Sequence, residues 1–161
     1  MTRLRADTPL VPSLLDRLLD DFPEASAESA RDRTQRLADL KRAVRRDVED
    51  LLNTRRRPLP PGLVETPTSV LAYGLPDFSG GGPATGKERE AFARQIEGVL
   101  RTFDRRLTNV KVELRAGDDG ARTLRFHITA LLAADPAPEP VEFDSTLEPA
   151  TGTFAVAEGG E

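Results

Sequence analysis

Cysteine is absent from the 161 residues, which excludes a disulfide framework and thiolate metal sites and fits a reducing compartment. Tryptophan is absent too, and the chain holds one tyrosine, one histidine and one methionine. With aromatics at 5%, the core must be built mostly from Leu, Val and Ala. The lone histidine, His127, shares strand parity with Arg125 and Thr129, so it is expected on a polar sheet face without metal-binding partners. Ser69 and Ser79 have neither a second histidine nor a Gly-x-Ser-x-Gly elbow, which argues against nucleophilic catalysis. No apolar run approaches the ~20 residues of a membrane-crossing helix, and the first residues carry no signal-peptide core. The expectation is a soluble, cytoplasmic chain that meets a membrane only through partners. A dominant charge sign is also lacking. The 23 basic and 27 acidic residues are interspersed, for a net charge of -4, which argues against nucleic-acid binding.

What is present reads as one domain with an arm. Leu14, Leu15, Leu18 and Leu19 form a short apolar stripe between Pro12 and Pro23. It is either a terminal helix packed on its own domain or an arm that orders against a partner. Residues 1–28 are assigned to this arm, 29–157 to the main domain and 158–161 to a flexible tail.

A first long helix is expected from a capping pattern at Ser29 and Asp32. Leu37, Leu40, Val44, Val48, Leu51 and Leu52 recur at helical spacing, with Arg42, Arg45, Arg46 and Glu49 largely off that stripe. Arg55, Arg56 and Arg57 are placed at its C-terminus, where cations favour the macrodipole. A short helix follows, with Thr66 as N-cap, Pro67 in its first turn, and Gly74 and Pro76 ending it. Tyr73, Leu75 and Phe78 are then displayed on a rigid turn without titratable partners, which suggests a docking surface rather than a reaction centre. The Gly-rich loop 79–86 lacks the Gly-Lys-Ser/Thr ending of a phosphate cradle.

The second long helix opens with a capping box, Thr85 to Glu88, and buries Phe92, Ile96, Val99, Leu100 and Phe103. The period then changes to two. Val110, Val112 and Leu114 form one strand, and Gly117-Asp-Asp-Gly120 is a hairpin turn. Leu124, Phe126 and Ile128 form a second strand, Val141, Phe143, Ser145 and Leu147 a third, and Phe154 and Val156 a short fourth. The fold class is α+β: two long helices and a short helix on a small, mainly antiparallel sheet of three to four strands. Leu40, Val44, Val48, Leu100, Phe103, Phe126 and Ile128 should share one core.

Asp16, Asp20, Asp21, Asp47, Glu49 and Asp50 read as solvated helix faces. The densest basic region, Lys41, Arg42, Arg45, Arg46 and Arg55–Arg57, has no interleaved aromatics for base stacking. Arg56 and Arg57 fit a solvated run, whereas Arg55 is assigned a specific role.

Four blocks, taken together, carry a resemblance: the segment from Leu14 to Pro23, Leu51-Leu-Asn-Thr-Arg55, Tyr73-Gly-Leu-Pro-Asp77 and Phe103-Asp-Arg-Arg-Leu107. They resemble the TssE family, the small baseplate wedge component of type VI secretion systems, related to a wedge protein of T-even phage tails. The similarity runs from about Leu14 to Val156. It implies a structural subunit, not an enzyme, with no cofactor, in a cytoplasmic baseplate docked at the inner membrane. Its partners would be TssF-like and TssG-like wedge proteins and sheath subunits. The partner-binding residues implied are Leu14, Leu15, Arg17, Leu18, Arg55, Tyr73, Leu75, Pro76, Asp77, Phe78, Asp104 and Arg106. The family places a Glu-Pro-Arg signature at the helix-to-strand junction. Here Asp104 stands for the acid, Arg106 for the arginine, and Arg105 replaces the proline, removing a fixed φ.

The resemblance also implies a sheet edge that accepts a sheath strand, expected at Val141–Leu147 or Phe154–Val156. Alternatives are a wedge protein of another contractile injection machine or phage tail, a peptidoglycan hydrolase, or a regulatory anti-adaptor. A hydrolase would need one carboxylic acid in an apolar pocket and a second carboxylate opposite.

Overall fold

A computed structural model describes residues 33–58, 68–78, 83, 85–115, 123–134 and 137–160. The arm with Leu14, Leu15, Arg17 and Leu18, the expected helix start at Ser29, the cap at Thr66 and the hairpin turn at 117–120 all lie outside the described residues.

Helix α1 spans Arg33–Asn53. Leu40, Val44, Val48, Leu51 and Leu52 are buried along one face, at the spacing the sequence displays. The helix ends at Asn53, before the arginine run, which corrects the placement of Arg55–Arg57 in its last turn. Arg55 and Arg56 instead form a short strand, β1, parallel to β2, Leu75–Pro76. Between them lies a 3-10 turn, Val70–Ala72, in place of a longer helix. Its N-cap is Ser69, whose side chain accepts from the Leu71 N–H.

Helix α2, Gly86–Phe103, has the expected capping box: Thr85 accepts from the Glu88 N–H, and the Glu88 side chain accepts from the Thr85 N–H. It buries Phe92, Ala93, Ile96 and Leu100, with Val99 and Phe103 half-buried beside them.

The four remaining strands are β3 (Leu107–Arg115), β4 (Leu124–Leu132), β5 (Glu139–Glu148) and β6 (Thr153–Glu158). They form an antiparallel meander in the order β3-β4-β5-β6. Leu124, Phe126, Ile128, Ala130 and Leu132 alternate inward along β4, and Val141, Phe143, Ser145 and Leu147 along β5. Strand β3 starts earlier than its alternation suggests. Leu107 and Val110 are both buried although three residues apart. A register shift between Thr108 and Lys111 makes this possible, with Asn109 at φ 52° supplying the extra residue. Asparagine tolerates that left-handed conformation better than most residues.

Helices and sheet enclose one core containing Leu40, Val44, Val48, Leu100, Phe126 and Ile128, with Phe103 packed against it. The few aromatics are concentrated there. Phe92 lies 5.9 Å from Phe126 and 6.3 Å from Phe154, between ring centroids. At the C-terminal end, β6 continues through Glu158, and the Gly159 N–H donates to the Glu142 carbonyl at 2.8 Å. The expected flexible tail therefore begins too early at residue 158.

Candidate functional site

The Leu51–Arg55 and Tyr73–Asp77 blocks, far apart in the chain, meet in space. The Leu75 N–H donates to the Thr54 carbonyl at 2.9 Å, and Arg55 pairs with Leu75 across β1 and β2. Gly74 makes the approach possible. Its φ is +98°, and a Cβ there would stand 2.4 Å from the Thr54 carbonyl oxygen.

Each residue of the first block has a task. Leu51 and Leu52 are core. The Asn53 amide pairs with both backbone groups of Phe154: its Nδ2 donates to the carbonyl at 2.9 Å, and its Oδ1 accepts from the N–H at 2.8 Å. The Thr54 hydroxyl donates to the Asp50 carbonyl at 2.8 Å. Arg55 donates to the Leu52 carbonyl at 2.6 Å and to the Gly152 carbonyl. Its guanidinium lies 4.3 Å from the Phe78 ring centroid and 5.9 Å from that of Phe154. Burial lowers its pKa, partly opposed by the charge of Asp77.

These contacts close one edge of the sheet. The Gly152, Phe154 and Val156 carbonyls accept from Arg55, Asn53 and Arg45, the last at 2.8 Å. The late-strand edge is thus corrected in two ways. Strand β5 is interior, and β6, although an edge, has much of its outward backbone occupied by side chains of α1 and β1. At the other end of the sheet, no strand among the described residues lies beyond β3.

The displayed turn is corrected as well. Leu75 is fully buried, and Tyr73 and Phe78 are half-buried against the core. Phe78 meets Phe92 edge-on at 5.1 Å, and Tyr73 meets Phe103 at 5.2 Å. Pro76 is half-buried and Asp77 exposed. The outward apolar residues of this segment are Val70, 84% exposed, and Leu71, 56% exposed.

The second part of the site is the junction between α2 and β3. Asp104 is the C-cap of α2 and is buried. Its carboxylate holds Arg106 through a fork: Nε to Oδ1 at 2.9 Å and Nη2 to Oδ2 at 2.8 Å. Arg106 Nη2 also donates to Asp47 Oδ2 on α1 at 2.7 Å. Burial works against the arginine's charge, but the hydrogen bonds and charges of Asp104 and then Asp47 outweigh it and raise the pKa. Asp104 and Arg106 are thus brought together. Their bonds run inside the domain and reach α1, so the pair fixes the junction's shape. Asp47, read from sequence as a solvated helix residue, is a member of this network. Arg105, between Asp104 and Arg106, is exposed.

Tyr73 stands over this network. Burial, and then the charges of Asp47, Asp50 and Asp104, raise its pKa above the ordinary value of about 10. The folded state therefore holds the phenolic proton more tightly than the unfolded chain. Its contribution to stability is complete below the unfolded pKa and is lost as pH rises from there through the folded value. Stability should decline above pH ~10, and Tyr73→Phe should remove that component of the decline. As the chain has one tyrosine, its ultraviolet absorbance titration reports this group alone. A midpoint equal to that of the unfolded chain would contradict the assignment.

His127 faces away from the core, as its parity suggests, yet it is partnered. Nδ1 lies 2.8 Å from Asp144 Oδ1 and Nε2 3.7 Å from Glu142 Oε2 on β5. Among the described residues no group of His, Asp and Glu is arranged to hold a metal ion. The site is an apolar and charged scaffold that joins α1, α2 and both sheets.

No curated protein matches the chain. A family model for the baseplate wedge protein gp25 matches residues 38–137, which contain the two meeting blocks, the Asp104–Arg106 junction and strands β3 and β4. With the match extending over more than half of its length, the chain belongs to the baseplate wedge protein gp25 family.

Proposed function

We propose that this chain is the small baseplate subunit of a type VI secretion system, joining TssF-like and TssG-like wedge proteins and templating the first ring of the contractile sheath. It would act in the cytoplasm, in a baseplate docked at the inner membrane. Family membership supports a structural baseplate role. The observation that carries the sheath reading is the asymmetry of the sheet. Strand β6 is occupied along its outward edge by Asn53, Arg45 and Arg55, whereas β3 ends the sheet without a neighbour among the described residues. An incoming sheath strand would add to β3, gaining main-chain hydrogen bonds without demanding particular side chains.

The wedge contacts would use the relief around the two motif blocks. Val70 and Leu71 offer apolar surface, and the Asp104–Arg106–Asp47 network holds the adjacent junction in a fixed shape.

Co-expression with TssF and TssG homologues, followed by size exclusion, tests the wedge assignment; failure to co-elute would remove it. The sheath reading has its own test. A proline in β3, at a residue whose N–H points away from β4, spares the fold but removes one bond from an added strand. The expected phenotype is an assembled wedge that does not nucleate sheath. Normal sheath frequency in a variant confirmed folded would exclude strand addition at β3.

A further inference from the structure

An open edge strand with complementary charges can serve as its own partner. We propose that the outer edge of β3 pairs antiparallel with the same edge of a second copy of this chain, centred on Val112. The two four-stranded sheets would then become one continuous sheet.

Three observations support this arrangement. First, β3 ends the sheet, and past the Leu107 N–H, which donates to the Asp104 carbonyl at 3.2 Å, no backbone bond to its outer edge is present among the described residues, whereas β6 is occupied at the opposite end. With one edge open, growth closes at a symmetric pair and does not run on as a filament. Second, Lys111 and Glu113 are exposed on the same face of β3, and neither makes an ion pair among the described residues. Within the domain they face Thr129 and His127 across the ladder to β4. Third, the charge pattern selects a register. Pairing centred on Val112 sets Lys111 opposite Glu113 of the second copy, twice by symmetry. It also sets half-buried Leu114 opposite Val110 on the apolar face. Pairing centred on Glu113 would oppose Glu113 to itself and Lys111 to Arg115, both unfavourable. Pairing centred on Leu114 matches Glu113 with Arg115 but carries Lys111 and Val112 past the end of the second copy's β3 at Arg115, so fewer residues pair.

The inference rests on the sheet order and the β3 sequence, not on the sheath reading. If β3 also accepts a sheath strand, dimer and assembled form exclude one another, and the dimer shields the edge before assembly.

Sedimentation equilibrium of the full chain tests the pairing. The wild type should show a reversible monomer–dimer equilibrium. Lys111→Glu and Glu113→Lys should each weaken it at least about tenfold, because each places like charges opposite one another twice. The double variant, Lys111→Glu with Glu113→Lys, restores opposite charges and should recover dimerisation. Circular dichroism checks that each variant is folded; both residues are exposed, and Lys111→Ala with Glu113→Ala offers a milder pair that should also weaken the dimer. A wild type that stays monomeric, a double variant as weak as the singles, or a dimer indifferent to Lys111 would each overturn the proposal. A failure of sheath assembly in cells would bear on the sheath reading and leave this result unchanged.

Discussion

Arg106→Ala should lower the unfolding free energy of the domain by about 3 kcal/mol. Removing the arginine leaves the buried Asp104 carboxylate, at 8% exposure, and Asp47 without their shared cation. Breaking a buried pair by deleting one partner costs ~3–5 kcal/mol, because the surviving charge is desolvated and uncompensated. The lower end applies here, since Arg106 and Asp47 both keep some contact with water. Arg106→Lys should recover only part of the loss. Lysine restores a charge but not the two-pronged fork to Asp104. Arg105→Ala, at an exposed neighbour, should stay within about 0.5 kcal/mol. Urea denaturation of the three variants checks the order. If Arg105→Ala and Arg106→Ala were equally mild, the network would have no structural weight. The same geometry changes how a charge reversal must be read. Arg106→Glu brings a third carboxylate beside Asp47 and Asp104, so loss of partner binding in that variant reports a lost contact only if the domain remains folded.

The parts of this fold legible in sequence are those decided by neighbours a few residues apart. The Thr85–Glu88 capping box, the inward stripes of both long helices and the alternation along β4 and β5 depend on local spacing, and the structure shows each of them. The direction in which the Tyr73–Phe78 segment faces was not legible. Gly74 marks a turn, but whether the flanking apolar residues point outward depends on Thr54, which the turn packs against. The Asn53 clamp on Phe154 and the bond from Arg106 to Asp47 join residues distant in the chain, and no local pattern announces them. His127 illustrates the boundary. Its parity placed it on the outer face, but its partners Asp144 and Glu142 follow from the β4–β5 register, which parity does not determine. At β3 a signal was present. Leu107, three residues before Val110, fits the inward face only if the strand bulges between them.

Leu100→Ala should cost ~2–5 kcal/mol, a large share of the ~5–15 kcal/mol that stabilises a typical domain. Leu100 has no solvent exposure and lies one turn beyond Ile96, also fully buried, on the face of α2 that covers the sheet. Its carbonyl accepts from the Asp104 N–H at 3.0 Å, so the side chain packs where the helix closes and the charged junction begins. Truncation removes apolar contacts and leaves a void that the helix can fill only by shifting against β3. Such a shift would also disturb the Asp104 cap. The cost therefore combines lost transfer energy with a cavity contribution of ~24 cal/mol per Å³. Arg101→Ala is the matched control. Its side chain is 63% exposed and makes one ion pair with Glu97 at 3.1 Å, worth ~0.3–0.5 kcal/mol. For a chain of this length, 1 kcal/mol moves the melting temperature by roughly 2–4 °C. Leu100→Ala should thus melt at least ~4 °C below the wild type, while Arg101→Ala stays within about 2 °C. Equal shifts for both variants would mean that α2 does not present Leu100 to the sheet.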